Sequence, residues 1–460
     1  MSARGRPPQR SRDGSQSTLV RHKHRTYLKA PGWLRHVHDD PLARTSGILI
    51  ADNVVLGGIG ALCTVLATHY WAPQDVGAVA AAVGALNLLV VASLLGMPTT
   101  IVRFLGSEPR QSTLMKQALI ATSAVGGLGA LTVSLVPGHF GIPLGDLDLP
   151  GWLLPMLAVL YAVASIVVAV GDPAYTARQE ASFVLGKDIA ASILRLGLLL
   201  ALAGTGVATL FLVALAYVTF AATIDLALLA ARLKRQPAER RDPPFSLLRR
   251  HFSFALGSQA AVIIASVTLI LPTAIAAFLG TASAAYIAVD LQVASLLTII
   301  PAMTGQSLLA ELSRGAGDTI AVTTRALRGA YMVTIPCASA LIVFAPYVLL
   351  VFGSRYASHG SSTLRWCAAA SPLFVFSYVS DFVLLASRKV RAYVLVNFLG
   401  TVLGAAAMVG ALTIGFGWIG PAFFFGATGY AVISAVVLSR FLVKGQLRQA
   451  VALFVRPRHG

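Results

Sequence analysis

Charge is what this 460-residue chain has least of: only 12% of its residues are Asp, Glu, Lys or Arg, while 56% are hydrophobic. With a mean hydropathy of +0.76, too little polar surface exists to clothe a soluble domain, and a polytopic membrane protein is expected. Acidic residues are the scarcer sign, 18 against 36 basic ones. The net charge of +18 does not mark a nucleic-acid binder, because the basic residues lie between apolar runs rather than on a face interleaved with aromatics. Only three cysteines occur, Cys63, Cys337 and Cys367, with no Cys-x-x-Cys or Cys/His spacing. Neither a disulfide framework nor a metal site is expected. No Ser-His-Asp, Cys-His or His-x-x-x-His set shares a helix, and no phosphate-cradling glycine motif occurs. Catalytic residues, a bound cofactor and ATP-driven transport by this chain alone are therefore not expected. The opening segment has no apolar core of the kind a signal peptide needs, so none is expected.

What is present is a series of long apolar runs. The first two, TSGILIADNVVLGGIGALCTVLATHYW and AVAAAVGALNLLVVASLLGMPTTIVRFLG, are joined by APQDVG within residues 46–106. Each run is near the roughly 20 residues a helix needs to cross a bilayer, and the join is too short to do more than turn back. Ten further runs follow, near 114–136, 152–171, 186–204, 206–231, 254–279, 283–309, 328–352, 367–387, 392–413 and 418–442. Twelve spanning helices are thus expected. Before them, residues 1–45 form a basic arm with ten Lys or Arg against three Asp, expected to be disordered and cytoplasmic. Its end carries Tyr27, Leu28, Trp33 and Leu34 beside Lys29 and Arg35, which suits an anionic lipid surface.

With both termini inside, 33 of the 36 basic residues fall on the cytoplasmic side, against Arg355 and Arg365 outside and Arg195 within a helix. An asymmetry repeated at alternate loops predicts that topology in a cytoplasmic membrane. The basic linker 232–252 divides the spans into six-helix lobes at 46–231 and 253–442, followed by a basic tail at 443–460. A weak internal repeat supports the division. LNLLVVASLLGMPTT in the second run matches LQVASLLTIIPAMTG in the eighth at an offset of 203 residues, which sets Asn87 opposite Asp290. The expected fold is all-α, with about twelve helices in two pseudo-symmetric bundles around a central cavity, as in transporters built from repeats.

The hairpin with its APQDVG loop, the ending LGMPTTIVRFLG, and FLGTASAAYIAVDLQVASLLTIIPAMTGQSLLAELSR in the second half together resemble a known family. They look like the polysaccharide-transporter branch of the multidrug/oligosaccharidyl-lipid/polysaccharide (MOP) flippase superfamily, over about residues 46–442. The resemblance implies a flippase that moves an isoprenoid-linked oligosaccharide from the inner to the outer leaflet for cell-surface polysaccharide synthesis. Membrane lipids, the lipid-linked sugar and polysaccharide-assembly enzymes would be its partners. It also implies relatives that expel organic cations, so a multidrug cation antiporter is the alternative.

Ionisable groups within apolar runs are expensive and mark function by default. Five stand out: Asp52, Asp225, Asp290, Asp381 and Arg195. Arg195 and Asp225 sit at similar distances from the ends of neighbouring runs, so they are expected either to pair or to leave Arg195 free to bind phosphate with Arg103, whose planar fork suits it too. Asp52, in a small-residue setting, resembles the first-helix acid through which multidrug extruders couple to a proton or sodium gradient. Asp290 is the acid hardest to read as interfacial. Asp381 lies seven residues before Arg388 and could be its partner. Prolines 155, 272, 301, 336, 346 and 372 are expected to bend helices. Two other classes remain open, a membrane glycosyltransferase or polymerase and a scaffold of an envelope-synthesis complex. The first would need a sizeable external loop bearing an acid, and the only outer acidic cluster, Asp146 and Asp148, lies in a loop too short for a substrate domain; the second would need every membrane charge paired off.

Overall fold

In hydrocarbon every backbone N–H and C=O must find a partner within the chain, which makes each long apolar run a helix. The computed structural model describes residues 41–105, 108, 110–136, 144–178, 180–234, 246–266, 271–313, 319–387 and 389–455. Within them lie α1 Pro41–Tyr70, α2 Pro73–Ser93, α3 Met97–Phe104, α4 Gln111–Leu135, α5 Leu153–Ala177, α6 Ala181–Ala201 and α7 Val207–Lys234. The second half holds α8 Ser246–Ala265, α9 Leu271–Leu279, α10 Thr281–Ser313, α11 Thr319–Leu350, α12 Ser354–Ala386, α13 Val390–Ile414 and α14 Ile419–Val455. Among the described residues there is no strand. The protein is all-α and polytopic. Nine of the described helices are long and apolar enough to cross a membrane. Their outward faces bear Leu128, Leu135, Met156, Met332 and Val343, all at least 60% exposed, as a lipid-facing surface requires.

The remaining three predicted runs are not among those nine. The first lies in the 30-residue helix α1, Pro41–Tyr70. The fifth, α6, carries Lys187, Asp188 and Arg195 in its interior. The seventh covers parts of α8 and α9, with residues 267–270 between them outside the described residues. The second run also divides, because Leu95 and Gly96 adopt φ of 51° and 72° between α2 and α3. Gly96 can hold that left-handed conformation at little cost, and the Pro98 that follows fits the first turn of the new helix. At the other end, α14 continues through residues 443–455. The arm 1–40 and linker residues 235–245 lie outside the described residues.

Of the prolines expected inside helices, Pro301, Pro336, Pro346 and Pro372 are so placed. Pro155 and Pro272 instead occupy the first turns of α5 and α9, where a missing N–H leaves no helical bond unmade. Pro173 is also interior to α5, which extends past residue 171, where the fourth predicted run ends.

Residues 45–460 form one compact unit. In its first half α4 packs on α5, and α5 and α6 on α7; in the second, α12 packs on α10, α11 and α14, and α13 on α14. The halves meet mainly through α2, which touches α8, α9 and α10. Gly77 of α2 lies directly on the backbone of Thr281 and Ala285, where no side chain would fit. Beside it Thr273 donates to the Ala81 carbonyl at 2.6 Å. Small residues here permit the close approach that drives helix association in lipid.

Candidate functional site

The polar residues of the first half gather inside it, on the faces of α1, α5, α6 and α7. Lys187 of α6 has a fully buried side chain. Its ammonium donates to Asp225 of α7 at 2.9 Å and to Asp172 of α5, and lies 3.7 Å from Asp188. Asp52 of α1, 6% exposed, stands within electrostatic reach of Asp172 and Lys187. One lysine therefore serves several carboxylates. A lone ammonium has three donors for them, and its compact charge suits several acceptors better than a planar fork would.

This arrangement corrects the expected Arg195–Asp225 pair. Asp225 belongs to Lys187, which the loop-by-loop reading of basic residues had assigned to the membrane surface. Arg195 lies eight residues further along α6, about 12 Å up the helix axis. There its guanidinium lies 5.6 Å from the centre of the Tyr217 ring. Cys63 of α1 and Tyr161 of α5 are in its electrostatic neighbourhood. Tyr161 in turn donates to Asn87 of α2 at 3.1 Å and stacks on Phe211. Among the described residues no carboxylate lies within 4 Å of Arg195. The first half thus presents two levels: a lysine among acids, and above it a cation bordered by tyrosines and an amide.

The other expected residues are scattered. Asp290 is fully buried on α10 and faces α12, where its carboxylate would be 2.7 Å from a Cβ placed on Gly360. Neither of its oxygens has a hydrogen bond among the described residues. One turn before it, Tyr286 stacks on His359 at 4.9 Å and meets Tyr356 edge-on. Asp381 accepts from Tyr430 of α14 at 2.6 Å and from Asn397 of α13 at 3.2 Å. Arg388, its expected partner, lies outside the described residues. Arg103 is exposed on α3 and stacks over Phe254 of α8 at 4.6 Å.

Two of these clusters correspond. Asp172, Lys187 and Asp225 come from the fourth, fifth and sixth runs of the first half; Asp381, Asn397 and Tyr430 come from the fourth, fifth and sixth of the second. In each a carboxylate near the end of one helix meets groups from the two helices that follow, directly in the second half and through Lys187 in the first. The second set has an amide and a hydroxyl where the first has a lysine and an acid. Sequence reasoning missed Asp172, Lys187 and Asp188. Asp172 lies just past 171, where the fourth predicted run ends, and Lys187 was counted with the inner basic residues although it and Asp188 fall at the start of the fifth, 186–204. A narrow recess between α4, α5 and α7 reaches Asp225 and is lined by Leu119, Tyr175 and Arg178 among others.

No protein-family model and no curated protein sequence matches the chain. Solved structures do. The lipid II flippase MurJ in an inward closed conformation superposes with a TM-score of 0.70 at 12% identity, covering 89% of this chain and 92% of that one. An inward-facing multidrug resistance MATE family transporter gives 0.65 at 16% identity, over 87% and 96%. A MOP superfamily transporter from Pyrococcus furiosus gives 0.57 at 14%, over 90% and 99%. At such identities a likeness speaks for the fold, and the fold of this chain is the one shared by MOP superfamily transporters.

Proposed function

We propose that the protein is an alternating-access transporter that flips a polyprenyl-linked oligosaccharide or related glycolipid across a bacterial cytoplasmic membrane, with both termini inside. It is a carrier without covalent chemistry, built as two six-helix lobes at 46–231 and 253–442. The fold it shares with a lipid II flippase supports the transporter part of this reading. The choice of cargo rests on one observation: Arg195 keeps its charge free of any carboxylate among the described residues, because Lys187 has taken Asp225. A guanidinium in the first half, bordered by Tyr217 and Tyr161, can grip a diphosphate bidentately while an aromatic ring meets a sugar.

The two levels divide the work. Arg195 holds the anionic head group, while the acids around Lys187, together with Asp52, exchange a proton or sodium ion that drives the cycle. Asp381 is the counterpart of that cluster in the second half, Asp290 stands opposite Asn87 by the repeat, and Arg103 guards the seam rather than the cargo. A second reading, export of organic cations, is favoured by the surplus of carboxylates around Lys187. The two separate in proteoliposomes. Flipping of a fluorescent polyprenyl-diphosphate oligosaccharide that falls at least tenfold in Arg195→Ala supports the flippase. Uptake of a lipophilic cation, with no flipping, supports the antiporter.

A further inference from the structure

The seam between α2–α3 and α8 contains a device that neither fold nor cargo requires. Where the second run breaks, the amide of Gly96 no longer points along a continuous helix. It donates instead to the side-chain Oε1 of Gln259 at 2.6 Å, across the seam on α8. The Gln259 amide donates back to the carbonyl of Val91, in the last turn of α2. One side chain, 3% exposed, thus closes both sides of the break. A turn earlier on the same face of α8, the carbonyl of Ala255 lies so close to Gly96 that no other residue would fit there. Beside it Phe254 meets Phe104 edge-on at 5.3 Å and lies under Arg103.

We propose that Gln259 is the latch of the gate at the basic end of the molecule. It fastens α8 of the second half to the broken helix of the first, and it must let go when the halves part. This rests on the alternating-access reading above. Its logic is that a left-handed break in lipid needs a partner for its backbone. While α8 is docked, Gln259 is that partner; once α8 withdraws, only water entering the opened seam can replace it. The gate is therefore coupled to its own hydration, and the break, useless as mere packing, becomes the place where the seam unfastens.

The test uses the full-length protein in nanodiscs, its three native cysteines replaced, with spin labels at Lys116→Cys and Arg391→Cys on the two halves. Wild-type protein should show a short distance and a minor longer one. Gln259→Leu, which keeps the bulk and loses both hydrogen bonds, should raise the ratio of long to short about tenfold. Gln259→Glu, which keeps the acceptor for Gly96, should raise it less. A Gln259→Leu protein that melts earlier with its ratio unchanged, while wild type still shows both distances, overturns the latch and leaves alternating access standing. A single unchanging distance in wild type and all variants counts against alternating access itself. Should Gln259→Leu not give folded protein, Phe254→Ala decides by the same ratio.

Discussion

Replacing Lys187 by methionine probes the packing of the first half most severely. The change keeps length and apolar bulk but removes the cation that Asp172, Asp188 and Asp225 share. Breaking a buried ion pair from one side costs about 3–5 kcal/mol, because the remaining charge is left without compensation. Asp225 is the residue most exposed to that penalty, since its side chain is only 2% accessible. Asp172, at 27%, can recover part of its hydration. Lys187→Met should therefore destabilise by about 3–5 kcal/mol, read as a large drop in the thermal unfolding midpoint in detergent. Adding Asp225→Asn should then restore stability, because the uncompensated carboxylate is gone, although each single change is destabilising. The cycle is strongly non-additive in the sense expected of coupled charges. A Lys187→Met protein that melts with wild type, or a double variant whose losses add, would refute the cluster.

Three further outcomes follow from particular contacts. Gly96→Ala forces an L side chain into a left-handed break against the Ala255 backbone and should destabilise by about 1–3 kcal/mol in denaturation assays. Arg195→Lys should retain part of the cargo affinity lost in Arg195→Ala, since charge survives but bidentate geometry does not; binding titrations with polyprenyl diphosphate check this. Asp290→Asn should slow transport in proteoliposomes while leaving insertion and melting close to wild type, and normal flux would remove Asp290 from the coupling scheme.

The helical runs were legible because long apolar stretches in lipid have almost no other way to fold. The site was less so. A rule that assigns basic residues to loops works where Lys and Arg lie at interfaces, and it misplaced Lys187 because α6 starts at Ala181, five residues before the predicted run. Asp172 was hidden for the same reason at the other side of the turn: the predicted run ended at 171, yet α5 continues to Ala177. The pairing of Arg195 with Asp225 was inferred from depth alone, and depth cannot choose between two cations on one helix. The break at Gly96 had a signal, a glycine two residues before a proline, but only the structure shows Gln259 reaching it from the other half.

The central claim, that these helices carry an anionic lipid-linked sugar past Arg195, is tested most directly in proteoliposomes holding a fluorescent polyprenyl-diphosphate oligosaccharide in one leaflet. The account predicts that label crosses in the presence of wild-type protein, quenchable from the far side, and that Arg195→Ala slows it at least tenfold at equal protein content. Crossing that is equally fast in Arg195→Ala, or absent with wild type while a lipophilic cation is taken up, would contradict it.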